Sequence, residues 1–401
     1  MTNKLEITSP GGELRATLSL PSDFRITEVP ILGTNKATVP TAAPPSLGPL
    51  AAFTGTFAGT GFNTIFRPDN ATTPTPLPIP PPPPPAGIDN ILELNLTSET
   101  LSFSPSLGAV PNRGTTPQGD VFLNGVPYLQ SIKDVTNPGQ PTGIHLEPGL
   151  WMIVPVTSTP SEQVSLVRMA SIPHGTTIDA QGTSTTSNGP PTIPAVDITP
   201  FLTAPPNTKI TFPSQTANNK ETFRIPQDLT SFIAANTITQ PILNDPNTVL
   251  RNHISGQKIT STVTININTT PNAPLFGGGS DNIAFLLGDP AVTKPNAQTV
   301  SMRATFWIET VEHTIVVPIF KLGQPPLELK PQVAKATGGP VPTFLAQPTV
   351  EITSPRTIVF STTQIQYSQE VFLNFHGLTW PHVSVATLVP ASPIPLPSSI
   401  W

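Results

Sequence analysis

Leu378-Thr379-Trp380-Pro381-His382-Val383-Ser384-Val385-Ala386-Thr387-Leu388, close to the end of a 401-residue chain, reads as a β-strand and sets the expected class of fold. Alternation sends His382, Ser384 and Ala386 to one face and Val383, Val385 and Thr387 to the other. An imidazole followed on its own face by two small side chains leaves space that a packed interior would fill. A cavity beside a histidine suits a flat ligand held by a nitrogen. Pro381 fixes the backbone just ahead of that histidine.

Outward from this strand the chain keeps the same character. Residues 357–360 and 365–375 precede it as strands, and residues 259–267, 282–287, 300–311 and 314–320 come before those, with a Pro-rich link over 321–350. Residues 183–257 differ, being Thr/Ser/Pro-rich with two short expected helices at 228–235 and 248–254. Asn244-Asp245-Pro246-Asn247 is a helix start, with an Asx cap and proline in the first turn.

Residues 88–182 read as consecutive strands. A Thr97-Ser98-Glu99 turn is expected between 91–96 and 100–103, and a hairpin at Asn124-Gly125 between 121–123 and 126–132. Strands at 143–156 and 164–172 follow. Before them stands a proline-rich tract at 73–86, unbroken proline from 80 to 85, which must adopt polyproline II. The expected role is a stiff spacer, or else an SH3/WW-type ligand, which the lack of neighbouring basic residues disfavours. In 50–68 the spacing of Gly55, Gly59 and Gly61 marks strong bending or close approach of another backbone. At the start, Ser9-Pro10-Gly11-Gly12 suggests a hairpin between 5–8 and 13–18.

The expected fold is therefore all-β: an antiparallel β-barrel with Pro-rich loops and a partly helical insertion. Its parts are an accessory segment at 1–45, the first part of the barrel at 46–182, the insertion at 183–257 and the remainder at 258–401.

Composition narrows the function. Charged residues are 11% and prolines number 54, which disfavours long surface helices. A net charge of −5 without Lys/Arg clusters argues against nucleic-acid partners. With no cysteine there are no disulfides, thiolate metal sites or thiol nucleophiles. No apolar signal core opens the sequence and no stretch approaches transmembrane length, so the expectation is a soluble cytoplasmic protein without a membrane span.

The six histidines form no HExxH and no zinc-type cluster. His253 and His313 are expected to be solvated, His313 at a hairpin turn after Glu312. His376 opens the loop between the last two strands. His145 opens Gly143-Ile144-His145-Leu146-Glu147-Pro148-Gly149-Leu150-Trp151, and His174 closes a strand in Ser171-Ile172-Pro173-His174-Gly175. Each is either a turn residue or a cavity group. There is no Gly-x-Ser-x-Gly elbow, and Gly277-Gly278-Gly279 lacks the Lys-Ser/Thr of a phosphate loop. Trp151 and Trp307 suit core packing; Tyr128 and Tyr367 suit packing or a role as oxidation relays.

Three segments together resemble the nitrobindin-like haem-binding barrels, relatives of the lipocalin and fatty-acid-binding calycins. Residues 50–68 are similar to the family's opening Gly-Thr-Trp-x-Gly-x-Gly strand, with Phe57 in place of tryptophan. His145 to Trp151 is similar to a His-x-Glu-x-Gly-Phe strand start, and the C-terminal hairpin matches the place of the family's proximal histidine. The resemblance implies a calycin-like barrel binding haem b, with His382 as iron ligand, Ser384, Ala386, His376 and Arg67 around the cofactor, and peroxidase or reactive-nitrogen chemistry on a small-molecule oxidant. Under it His145 and His174 are candidate bases, and Arg168 a candidate cation. The chain is more than twice the length of a simple barrel of this kind, and the insertion could cover the haem face. Two other readings stay open: a lipocalin-like binder of an apolar small molecule without metal, and a structural or surface β protein with no internal cavity.

Overall fold

In the computed structural model, residues 4–6, 17–19, 44–67, 90–221, 224–270, 278–289, 296–332, 338–375 and 377–401 are described. The polyproline run at 80–85 and His376 lie outside them. The chain divides into two units, Met1–Ala42 and Ala43–Trp401. In the first, Lys4–Glu6 pairs antiparallel with Thr17–Ser19, as a hairpin requires.

The second unit is all-β and is built on a closed antiparallel barrel of ten strands. They are β1 (Gly55–Arg67), β2 (Ile91–Phe103), β3 (Val121–Asp134), β4 (Thr142–Val154), β5 (Ser165–Ile172), β6 (Thr176–Asn188), β7 (Lys258–Asn268), β8 (Gln298–Val317), β9 (Arg356–Phe375) and β10 (Leu378–Pro390). Each strand pairs with the next along the chain, and β10 closes the ring on β1 through registers such as Val383 with Thr64. Closure leaves no free sheet edge in the ring.

Glycine allows the closing seam to pack tightly. A Cβ on Gly59 would sit 2.0 Å from the Thr387 carbonyl oxygen, and one on Gly61 2.1 Å from that of Val385. The sequence expectation of close backbone approach is thereby met.

Several expected turns are instead mid-strand. Asn124 and Gly125 lie inside β3, where the Asn124 side chain donates to the Pro45 carbonyl at 2.7 Å and its own oxygen accepts the Gly125 N–H. A Cβ on Gly125 would meet the Trp151 carbonyl of the adjacent strand, so pairing with β4 overrides the local turn preference. Thr97-Ser98-Glu99 lies within β2, and Glu312-His313 runs through β8 without a turn. β6 extends to Asn188, six residues past the expected barrel boundary at 182.

The insertion holds three short helices, α1 (Thr230–Ala234), α2 (Gln240–Asn244) and α3 (Thr248–Ile254), one more than expected. It packs on the outer wall of the barrel, where His253 Nδ1 lies 2.9 Å from Thr387 Oγ1 and Gln366 donates to the Leu250 carbonyl at 3.1 Å. This covering explains why Val383, Val385 and Thr387, on the outer face of β10, are all fully buried. It also corrects the expectation of a solvated His253. The β8–β9 hairpin projects beyond the barrel into a second small core of Ile315, Val317, Phe320, Phe344 and Ile358. There His313 is half-buried, bonded to Thr362 at 2.9 Å and packed on Phe344, again not solvated. A last helix, α4 (Ala284–Leu287), falls where a strand was expected. Among the described residues no helix is long and apolar enough to cross a membrane.

Candidate functional site

The barrel interior is layered, and period-two alternation assigns its residues. Along β4, His145, Glu147, Gly149 and Trp151 all point inward, one per layer. At the closed end, Phe53 stacks on Phe103 with ring centroids 4.5 Å apart, and Trp151 meets Phe306 edge-on at 5.1 Å. Leu50, on a 3-10 turn ahead of β1, completes this apolar floor.

A polar belt lies next. Glu147 is fully buried and accepts Arg168 Nη2 at 2.5 Å, the Tyr128 hydroxyl, and a bond with His145 Nε2 at 3.1 Å. Arg168 Nε donates to the Tyr128 oxygen at 2.8 Å and Nη1 to Gln369 at 2.6 Å. Burial by itself raises the Glu147 carboxyl, but the Arg168 charge and the bond from His145 bring it down to about 2. Gly149 makes room for this belt: a Cβ there would sit 2.4 Å from the Tyr128 ring and hydroxyl. On the other side, Glu99 accepts Tyr367 at 2.6 Å, Thr97 at 2.8 Å and Gln130 at 3.4 Å. Burial pushes the Glu99 carboxyl upward, against those three hydrogen bonds and the nearby His145.

Above the belt opens a cavity of about 370 Å³. His145, His174 and His382 line it with Asn63, Asn95, Gln130, Tyr367 and Gln369, and with an apolar set that includes Ile65, Ile132, Ile172, Val371 and Leu373. Leu286 of α4 and the Arg67–Glu93 ion pair, 2.6 Å, stand at its lining too.

His382 Nδ1 lies 3.0 Å from the Thr64 backbone carbonyl. A carbonyl only accepts, so Nδ1 carries the proton and Nε2 keeps its lone pair. Nε2 has no partner among the described residues. Burial lowers the ring to about 4, outweighing the Thr64 bond, so it is neutral near pH 7. His145 and His174 face each other with centroids 5.5 Å apart. Burial and then the neighbouring His145 lower His174, despite a backbone hydrogen bond at Ile144. Because Glu147 is ionised, the His145 proton sits on Nε2, leaving Nδ1 as the basic nitrogen.

Of the expected site residues, the fold thus brings His382, Ser384, His145, His174 and Arg67 to one cavity. Ser384 accepts from Asn63 at 2.8 Å. Two expectations are corrected. Arg168 is buried in its pair with Glu147 beneath the cavity, so it is no free cation for a ligand. Ala386 points inward but lies deeper, packed in the core rather than lining the cavity. His376 lies outside the described residues.

The sequence reading missed the belt residues Glu99, Gln130, Glu147 and Gln369. The signal was there: Glu93, Asn95, Thr97 and Glu99 recur every second residue, alternating with Leu92, Leu94, Leu96 and Ser98, a strand with its polar face inward.

Compared with known proteins, the chain matches no family model, no curated protein and no solved structure.

Proposed function

We propose that the barrel cavity binds haem b, with His382 Nε2 as the iron ligand. The observation that carries this reading is the Nδ1–Thr64 hydrogen bond. It fixes the tautomer and ring orientation as outer-shell partners of metal-bound histidines do, and leaves the second nitrogen unpaired. Among the described residues, no three His, Asp or Glu side chains come together to hold a metal ion. A lone neutral imidazole suits an ion whose other ligands come with a macrocycle. The mixed lining, apolar at Ile65, Ile132, Val371 and Leu373 and polar elsewhere, suits a largely apolar ring carrying a few polar groups. The resemblance of the His145 segment and of the last strand to nitrobindin-like barrels supports the same reading.

Haem iron held there would supply a redox centre for peroxide or nitrogen-oxide chemistry. His145, its Nε2 bound to Glu147, offers Nδ1 as a proton acceptor; His174 is the second basic ring of the cavity. Arg67 at the lining can turn from Glu93 to a propionate.

The test is an absorption spectrum after haem reconstitution. Wild type gives a Soret band; His382→Ala loses it while its circular dichroism is unchanged, and imidazole added to His382→Gly restores it. An unchanged Soret band in His382→Ala would sink the assignment. The apolar lining also supports a metal-free reading, binding of an apolar small molecule, which native mass spectrometry separates from haem by mass. The cavity counts against a purely structural role, which expects none.

A further inference from the structure

We propose that the Tyr367 hydroxyl and the Glu99 carboxyl beneath it form a proton-sharing donor pair that binds an acceptor oxygen or anion of a small ligand in the cavity, with uptake of one proton. The inference rests on the cavity being a ligand site, as proposed above, but not on the ligand being iron-bound.

Tyr367 lines the cavity; Glu99 does not, and lies against it from below with Tyr367 OH to Oε2 at 2.6 Å. Gln130 Nε2 donates to the Tyr367 oxygen at 3.0 Å and reaches Glu99 Oε2 at 3.4 Å, while Thr97 donates to Oε1 at 2.8 Å. Counting donors and acceptors gives two arrangements at the same heavy-atom positions, one complete within the protein and one completed by an acceptor in the cavity. With Glu99 ionised, the carboxylate accepts from Tyr367, Gln130 and Thr97, and the cavity faces only a phenol oxygen lone pair. With a proton on Oε2, the acid donates upward to the phenol oxygen, which also accepts from Gln130. The phenol hydrogen then turns into the cavity as a donor. The first arrangement satisfies every polar group by itself, whereas the second leaves the phenol hydrogen to be met by an acceptor in the cavity, so the choice between them falls to the proton and to the occupant.

The charges around the pair favour this exchange. Arg168 on β5 is bound to Glu147 on β4 rather than to Glu99. His145 on β4 is the remaining titratable group that acts on Glu99, and Tyr128 on β3 is committed to Glu147. Burial favours the neutral acid, and the hydrogen bonds oppose it. A ligand that offers an acceptor to Tyr367 tips the balance toward the protonated form.

Infrared spectroscopy of the haem-free protein tests the proton-sharing part. A neutral-acid carbonyl band is expected that Glu99→Gln removes and that fades as pH rises, together with a shift of the tyrosine C–O stretch that Tyr367→Phe abolishes. Absence of a Glu99-dependent acid band at every pH where the fold persists overturns the proposal, as does a band that titrates without moving the Tyr367 stretch. Ligand donation is read by fluoride titration of the ferric haem-loaded protein. Tyr367→Phe should weaken fluoride about tenfold or more. Glu99→Gln, whose amide mimics the neutral acid, should keep the affinity and lose its pH dependence. Equal fluoride affinity in wild type and Tyr367→Phe overturns the donor role. A protein that shows the infrared couple but never a Soret band counts against haem and not against the pair.

Discussion

Arg168 reaches from β5 to place Nη2 2.5 Å from Oε1 of Glu147 on β4, so that two full charges meet inside the barrel with both side chains essentially out of water. The pair is neutral as a unit and saturated by Tyr128, Gln369 and His145. It organises the polar belt and sets the tautomer of a cavity histidine.

Removing one partner is therefore costly. Glu147→Ala strands a buried guanidinium and should lower unfolding free energy by about 3–5 kcal/mol. The double variant Glu147→Gln with Arg168→Met should lose less than Glu147→Ala alone, because no unpaired charge remains. Urea titrations decide; a double variant that loses as much as or more than the single one contradicts the pairing.

Gly149 is required by Tyr128, not by its own backbone. Gly149→Ala puts a methyl 2.4 Å from the phenol and should cost about 1–3 kcal/mol through forced displacement. Adding Tyr128→Leu should recover part of that loss in thermal melts. If the second change brings no recovery, the clash is not the cause.

Glu309 gives stability a pH dependence of unusual sign. It is buried on the outer wall, one oxygen accepting from Gln364 at 2.6 Å and the other without a hydrogen bond, and burial raises it to about 8. Its folded value lies above its unfolded one, so its neutral form stabilises the fold at low pH. That contribution fades between the ordinary glutamate value and about 8, at a slope up to about 1.4 kcal/mol per pH unit. Glu309→Gln should flatten stability over pH 5–8 and be the more stable protein at pH 8.5. Parallel pH profiles for the two proteins would remove this role.

His253 and His313 act in the opposite direction. Burial lowers both to about 4, below the unfolded value, so the folded state holds them neutral. Their contribution is fully present above about pH 6.5 and falls as the pH drops toward 4, each ring giving up to about 1.4 kcal/mol per unit. His313→Gln should make denaturant midpoints between pH 6.5 and 4 less acid-sensitive. An unchanged acid slope argues that His313 is not held neutral.

The closing strand shows how far the sequence carries. Pro381, His382, Ser384 and Ala386 gave the strand, its inward face and a histidine beside open space, and the structure keeps all three. Alternation is a local property of the extended chain, so it survives whatever the rest of the molecule does. Turns were less legible. Asn124-Gly125 is a strong hairpin signal, yet it runs straight through β3 because both residues pair with β4, whose Trp151 carbonyl fills the space that a Cβ on Gly125 would take. A propensity for a turn cannot be weighed against a partner strand that only closure of the barrel supplies.

The sequence by itself determined the all-β class and the inward face of the last strand, since each follows from the geometry of a single chain segment. Only the tertiary structure decided which of those residues share one cavity. Arg168 looked like a free cation until Glu147, 21 positions away, took it, and Glu99 looked like a turn residue until Tyr367, 268 positions away, lay above it. Such partners meet because ten strands close on one another, and the energies that join them depend on burial that no single segment possesses.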